Sequence, residues 1–218
     1  MSIAAPARFN TLPDTAYNLW VRGELADYLH LPDDGTRVEV IGGEIVVSPG
    51  PTVGHNGFVH DVERALLTAE LADSSFEWRF AHTTDLNLSK IQDGYIPDLM
   101  VVNAKILAEA QEADAPHLFP QQVGLVMEVT SRSNAADDRQ PTLRRSATTK
   151  WNGYAQAGIP HYLLVDRDPR TAQTRLYSNP DRKSGAYMHE AIWDFGQIIR
   201  LPEPFCLEIP TERWKPWK

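Results

Sequence analysis

Ile96-Pro97-Asp98-Leu99-Met100-Val101-Val102 and Leu125-Val126-Met127-Glu128-Val129 are two short runs dominated by Val, Leu, Ile and Met. This is the composition of strands buried on both faces. Each run carries one carboxylate that it does not explain. Asp98 stands where the first strand begins, after Pro97, and Glu128 stands inside the second. A carboxylate in a buried strand is costly unless it is paired or bound to a metal. Two of them on adjacent strands would present oxygens to one cation, and such hard donors suit Mg²⁺ or Mn²⁺. The same residues admit a plainer reading. Asp after Pro is a common turn residue, and Glu128 on a sheet edge or beside an arginine would be a structural ion pair.

Upstream, Asp14 can cap a first helix on which Tyr17, Trp20 or Val21, Leu25 and Tyr28 recur at helical spacing. Pro32 to Gly35 is a turn. Arg37 to Ile41 and Glu44 to Ser48 are β-branched runs joined by Gly42-Gly43, the pattern of a tight hairpin. Thr52 opens a second helix with Val59, Val62, Leu66 and Ala69 on one face and His55 in its first turn. Phe76, Trp78 and Phe80 alternate as a strand, and Leu86 and Leu88 mark another. Lys90 to Tyr95 reads as a polar loop, and Ala104 to Ala113 as a short helix.

Downstream, Ser131 to Gln140 is polar and reads as a loop. Pro141 suits the first position of a helix that runs to Gly158, with Pro160 as a stop and Leu143, Ala147, Trp151 and Tyr154 as its apolar stripe. Arg144 and Arg145 on it read as a solvated or phosphate-contacting face. Tyr162 to Val165 is a strand. Thr174 to Tyr177, Met188 to Trp193 and Ile198 to Leu201 read as a short antiparallel meander. The order of elements is that of an α/β (mixed α+β) chain, a mixed sheet flanked by helices with a C-terminal meander, and not a doubly wound parallel sheet. We expect residues 1–13 to be a flexible terminus and residues 14–218 to form a single domain.

The 218 residues are 42% hydrophobic, enough for a normal core, and carry a net charge of −8. That charge argues against non-specific coating of nucleic acid, which needs clustered cations, but leaves room for a local basic groove. No run approaches the length of a membrane span, and no secretory leader is visible. The one cysteine, Cys206, reads as a packing residue between Phe205 and Leu207, excludes an internal disulfide framework and fits the cytoplasm.

A cation held by Asp98 and Glu128 would polarise a phosphodiester and lower the pKa of bound water. A nearby lysine would stabilise the developing charge. Lys150 is the candidate, on the helix after the Glu128 strand and four residues before Tyr154, so that the two share a side. The alternative is a lysine that snorkels to solvent.

An Asp-bearing strand followed by a Glu strand and a lysine, after a helix and a hairpin, resembles the PD-(D/E)XK nuclease superfamily. The longer pattern resembles one branch of it. Arg37 to Val46, Ser48-Pro49, His55, Ile96-Pro97-Asp98, Glu128-Val129-x-Ser131, Asp138-Arg139, Lys150-x-x-x-Tyr154-x-x-x-Gly158-Ile159-Pro160-x-Tyr162 and Val165-Asp166 are similar to the Uma-two family of restriction-endonuclease-like proteins, a bacterial domain of unknown function. The similarity spans about residues 15 to 200. It implies a restriction-endonuclease-like core, a Mg²⁺ (or Mn²⁺) site and endonucleolytic hydrolysis of DNA. Carried over by position, it implies that Asp98, Glu128 and the main-chain carbonyl of Val129 are the metal ligands. The superfamily expects lysine two positions after the Glu, where this chain has Thr130; in this branch the lysine has moved to the following helix, where Lys150 stands.

Glu39 and His55 match the branch pattern as well. Glu39 would add an outer carboxylate, or else face solvent or pair with Arg37. His55 would contact phosphate or the attacking water, or else cap or pack. Ser131 would orient Glu128 by a bond behind it, or merely start the loop, and Tyr154 stands beside Lys150 in the same supporting role. Asp138 reads as a helix-cap or ion-pair residue. His60, His82, His117 and His161 lack ligand spacing. Other functions stay open: a catalytically inactive binding or regulatory module on the same fold, or a nuclease for RNA or branched nucleic acid. Cutting both strands of a duplex recruits two sites, so a homodimer is expected.

Overall fold

The structure is a computed structural model, and it describes residues 12–142 and 148–218. Residues 1–11, most of the expected flexible terminus, lie outside it, as do Leu143 and Ala147 of the expected helical stripe and the Arg144 and Arg145 face.

Two short helices, α1 (Ala16–Val21) and α2 (Leu25–Tyr28), precede a hairpin of β1 (Arg37–Ile41) and β2 (Glu44–Ser48). The 20-residue α3 (Val53–Ala72) follows, then β3 (Trp78–Ala81), β4 (Asp85–Leu88), β5 (Asp93–Tyr95), β6 (Leu99–Asn103), α4 (Ala104–Glu112) and β7 (His117–Leu118). After a 3₁₀ turn come β8 (Val123–Val129), α5 (Ala135–Asp138), α6 (Lys150–Ala157), β9 (His161–Asp166), β10 (Gln173–Asp181), β11 (Ala186–Asp194), β12 (Ile199–Leu201) and β13 (Leu207–Ile209).

A six-stranded sheet in the order β11-β10-β9-β8-β6-β3 forms the centre. It is mixed: β8 and β9 are parallel, while β6 and β8 are antiparallel with Leu99 opposite Met127. Alternation along these strands divides the core in two. Leu99, Val101, Leu125, Met127, Leu163 and Val165 pack with Phe58, Val62 and Leu66 of α3. Met100, Val102, Val126, Tyr162 and Leu164 pack with Trp151 and Tyr154 of α6 and with Leu86, Leu88 and Tyr95 of a second sheet. That second sheet runs β2-β1-β5-β4-β7. Both faces of β6 and β8 are thus covered, as their unbroken apolar runs require.

Several elements depart from the sequence expectations. The first helix breaks at Gly23 (φ 71°), and its cap is Thr15, whose hydroxyl accepts from Asn18 N. Asp14 instead accepts from Thr15 N and the Asn18 side chain. The polar stretch before Tyr95 contains β5. Its Asp93 is buried and accepts from Gly42 N at 2.8 Å, Gly43 N at 3.0 Å and the Tyr95 hydroxyl at 2.8 Å. Polarity there reflects long-range hydrogen bonding, not solvent. The loop after Ser131 contains α5. Pro141 and Thr142 are not helical, and α6 starts at Lys150, where the Asn152 side chain accepts from Thr149 N. Gly158 (φ 80°) ends it. Of the expected meander, β10 and β11 pair antiparallel, with β9 on the other side of β10, while the third expected strand leaves the sheet. Ile199–Leu201 pairs with Leu207–Ile209 across the turn in which Phe205 N and Cys206 N donate to Pro202 O. Cys206 is exposed with a positive φ of 49°, so its turn conformation overrides the packing role expected of it.

Candidate active site

The β6–β8 pairing sets Asp98, one residue before β6, beside Glu128 and Val129 at the end of β8. Asp98 Oδ2 accepts from Val129 N at 2.9 Å and lies 3.0 Å from His55 Nε2. The same Nε2 is 2.9 Å from the Val129 carbonyl. Both partners accept, so Nε2 carries the proton and bridges two of the three oxygens expected to be metal ligands. Thr52 positions the imidazole: its hydroxyl accepts from His55 N at 3.2 Å and starts α3 directly in front of the sheet end. Asp98 Oδ1 accepts from Arg37 at 3.1 Å.

A second set lies alongside. Lys150 Nζ donates to Glu39 Oε1 at 2.7 Å and to Glu128 Oε1 at 3.0 Å. Tyr154, one helical turn on, donates to Glu128 Oε1 at 2.5 Å. Glu39 Oε1 also accepts from Ile96 N at 2.7 Å, which ties β1 to the entry of β6. Lys150, Glu39 and Glu128 are each buried to within a few per cent. The snorkelling lysine, the solvent-facing Glu39 and the edge Glu128 are thereby excluded. β8 is internal to its sheet, and the partner of Glu128 is a lysine rather than an arginine.

The charges explain the titration. Burial pushes the Glu128 carboxyl up to about 7, with Lys150 opposing and Asp98 and Glu39 adding to it. Burial also acts against the Lys150 ammonium, but Glu128 and Glu39 outweigh it and hold its pKa well above the ordinary value. Burial raises Asp98 too, yet the His55 imidazole and the Val129 N–H prevail and leave it below the usual carboxylate range. For His55, burial is outweighed by Asp98, and the net direction is up. Asp138, at the end of α5, is buried with neither carboxyl oxygen hydrogen-bonded, and burial together with Glu128 drives its pKa well up. Among the described residues it is neither a cap nor an ion pair but a buried acid beside the cluster. The site holds more carboxyls than cations.

Arg37, Glu39, His55, Asp98, Glu128 and Lys150 line one cavity of about 350 Å³. Tyr154 supports it from behind. Ser131 lines the cavity but bonds to Ser133 and Asn134 and does not orient Glu128. Arg37 was missed as the partner of Asp98. Its signal is period two: it stands two residues before Glu39 and so points to the same side of β1. The other histidines play structural or surface parts, with His82 bonded to Glu63, His117 to Asn87 and His161 to the Gly124 carbonyl.

The donor set is all oxygen apart from the imidazole, which fits a hard divalent cation. Among the described residues, however, no three His, Cys, Asp or Glu side chains are gathered as a metal cluster. The carboxylates are arranged around the protein's own cations.

A buried lysine spanning two carboxylates at the end of a mixed sheet defines a class of site as well as a fold. The family described as "Putative restriction endonuclease" (Uma2) matches residues 25–212. The chain belongs to that family. It is similar in fold to a crystal structure from Anabaena variabilis titled a putative nuclease belonging to DUF820, with a TM-score of 0.59 and 15% identity over 85% of this chain and 93% of that one. No curated protein sequence matches. Among the described residues no helix is long and apolar enough to cross a membrane.

Proposed function

We propose that this chain is a metal-dependent endonuclease that hydrolyses DNA phosphodiester bonds, working as a homodimer when both strands are cut. The observation that carries the reading is the convergence of Asp98, Glu128 and Lys150 in one cavity, from two strands and a helix. Family membership supports the same class of chemistry.

In this reading Asp98, Glu128 and the Val129 carbonyl would hold Mg²⁺ or Mn²⁺, which would supply Lewis-acid activation of the phosphate and of a water. His55 Nε2 lies within hydrogen-bond distance of both Asp98 and the Val129 carbonyl, so it holds these two oxygens on one side of the cavity. Lys150 stays fixed by Glu39 and Tyr154-supported Glu128, and its ammonium meets the negative charge that develops on the phosphate. Arg37 offers a second positive group on the same wall.

The arrangement of His55, Arg37 and Lys150 over the carboxylates also favours a second reading, a nuclease fold that binds without cutting. Supercoiled plasmid incubated with Mg²⁺ or Mn²⁺, beside calorimetry with Mn²⁺ alone, separates them. We expect nicking by the wild type, none by Asp98→Asn or Glu128→Gln, and loss of the Mn²⁺ heat in Asp98→Asn. Equal nicking by the variants removes the assignment. Mn²⁺ binding with cleavage of RNA or a branched substrate alone would move the substrate.

A further inference from the structure

Arg167 follows β9 and lines the same cavity as Asp98, Glu128 and Lys150. Arg132, also on the cavity wall, is exposed to solvent, whereas the buried and half-buried arginines nearby are paired, Arg167 apart. Arg37 has Asp98, and on the flank Arg139 has Asp166 and Asp168. Among the described residues Arg167 is the half-buried arginine with no carboxylate within ion-pair distance. Its Nε is buried and without a hydrogen-bond partner. A guanidinium keeps its charge under all ordinary conditions, so burying its Nε with no acceptor leaves a charged donor unsatisfied.

Its placement is nevertheless fixed. The guanidinium carbon lies 4.8 Å from the centre of the Phe58 ring, on α3. Its backbone N donates to the Thr130 hydroxyl at 2.9 Å, one residue beyond β8. Its carbonyl accepts from Trp217 N at 3.0 Å, and Trp217, half-buried, lines the same cavity. A planar, stacked guanidinium with free donors is the group that takes a phosphate in two-point contact. An aromatic ring beside it gives a base a face to stack on.

We propose that Arg167 and Trp217 form a nucleotide subsite next to the scissile position, in which Arg167 binds a flanking phosphate of one strand and Trp217 stacks its base. The proposal rests on the nuclease reading above and adds the element that holds the strand. Neither residue belongs to a recognisable motif, and only the return of the C-terminus across Arg167 brings them together.

The test uses the full chain and a fluorescein-labelled 12-residue oligo(dT) in EDTA, with anisotropy followed across salt concentrations. Loss of one phosphate contact lowers the slope of log affinity against log salt by about 0.7. We expect Arg167→Gln to lose that slope and about tenfold in affinity, and Arg167→Lys to recover the slope without the full affinity. Trp217→Ala should weaken binding about tenfold with the slope unchanged, and Trp217→Phe should restore most of it. A merely structural Arg167 would lower the unfolding temperature and leave the slope alone. Wild-type affinity and slope in Arg167→Gln overturn the subsite; if Asp98→Asn still abolishes plasmid nicking in the same preparations, the nuclease reading stands without it. A wild type that neither binds the oligonucleotide nor nicks plasmid ends both.

Discussion

Replacing Lys150 by methionine keeps the length and apolar stem of the side chain and removes its charge. Nζ bonds Glu39 Oε1 at 2.7 Å and Glu128 Oε1 at 3.0 Å. The two oxygens therefore lie within about 6 Å of each other, where two bare negative charges repel by roughly 3 kcal/mol at an effective dielectric of about 20. Removing one partner of a buried ion pair while leaving the other typically costs about 3–5 kcal/mol. For a chain of this length that lowers the unfolding temperature by roughly 10 °C. The loss depends on pH. Glu128 already titrates near 7, and without the ammonium its folded pKa rises further, above its unfolded value. The folded variant then holds a proton that the unfolded chain has released, so its stability is greatest at low pH and falls as pH rises through that range. Urea unfolding at pH 6 and pH 8 reads this directly. We expect Lys150→Met to be destabilised at both and more at pH 8, and the added change Glu128→Gln to recover most of the difference between them. A loss under about 1 kcal/mol, the size of an exposed ion pair, or one equal at both pH values, would refute the reading of Lys150 as the clamp between Glu39 and Glu128.

Asp138 gives a pH prediction of its own. Its folded pKa is well raised by burial and by Glu128, so Asp138→Asn gains stability over the wild type by up to about 1.4 kcal/mol per pH unit above the unfolded carboxyl value of about 3.9, until the folded pKa is reached. Parallel unfolding curves from pH 5 to pH 8 check it, and a difference that does not grow with pH argues against a protonated Asp138. A Cβ on Gly153 would sit 1.9 Å from the Tyr95 hydroxyl, and Tyr95 is fully buried. Gly153→Ala should therefore cost at least about 1–3 kcal/mol by overpacking, read as a lowered unfolding temperature; an unchanged one would show that α6 does not seat on β5 this closely. Tyr154→Phe removes the donor that favours ionised Glu128, so in the metal-free protein the carboxyl of Glu128 should titrate above about 7, read by difference infrared spectroscopy against Glu128→Gln; an unmoved titration would show that Tyr154 does not support the ionised form.

The strands that carry the site were legible because their signal is local. Unbroken apolar runs required two covered faces, and Gly42-Gly43, at φ 59° and 79°, required a turn. One carboxylate in each of two such runs was enough to single out Asp98 and Glu128. Lys150 and Tyr154 followed from helical spacing together with the family pattern, although the helix that carries them begins nine residues later than Pro141 suggested. The misreadings have a common cause. Asp93 and Asp138 are polar and buried, and pattern reading assigned the first to a loop and the second to a cap or ion pair. Ser131 sat at the right distance along the chain from Glu128 and yet turned to its own loop.

By itself the sequence determined the alternation of elements, the mixed α/β class and the two carboxylates that apolar strands could not explain, since each depends on neighbours a few residues apart. Tertiary structure decided how those charges are satisfied. Lys150 reaches Glu39 across 111 positions of chain, Arg37 reaches Asp98 across 61, and Trp217 returns to Arg167 across 50. A buried charge is governed by what surrounds it in space, and for these residues the surroundings exist only once the hairpin, the central sheet and α6 have closed on one another.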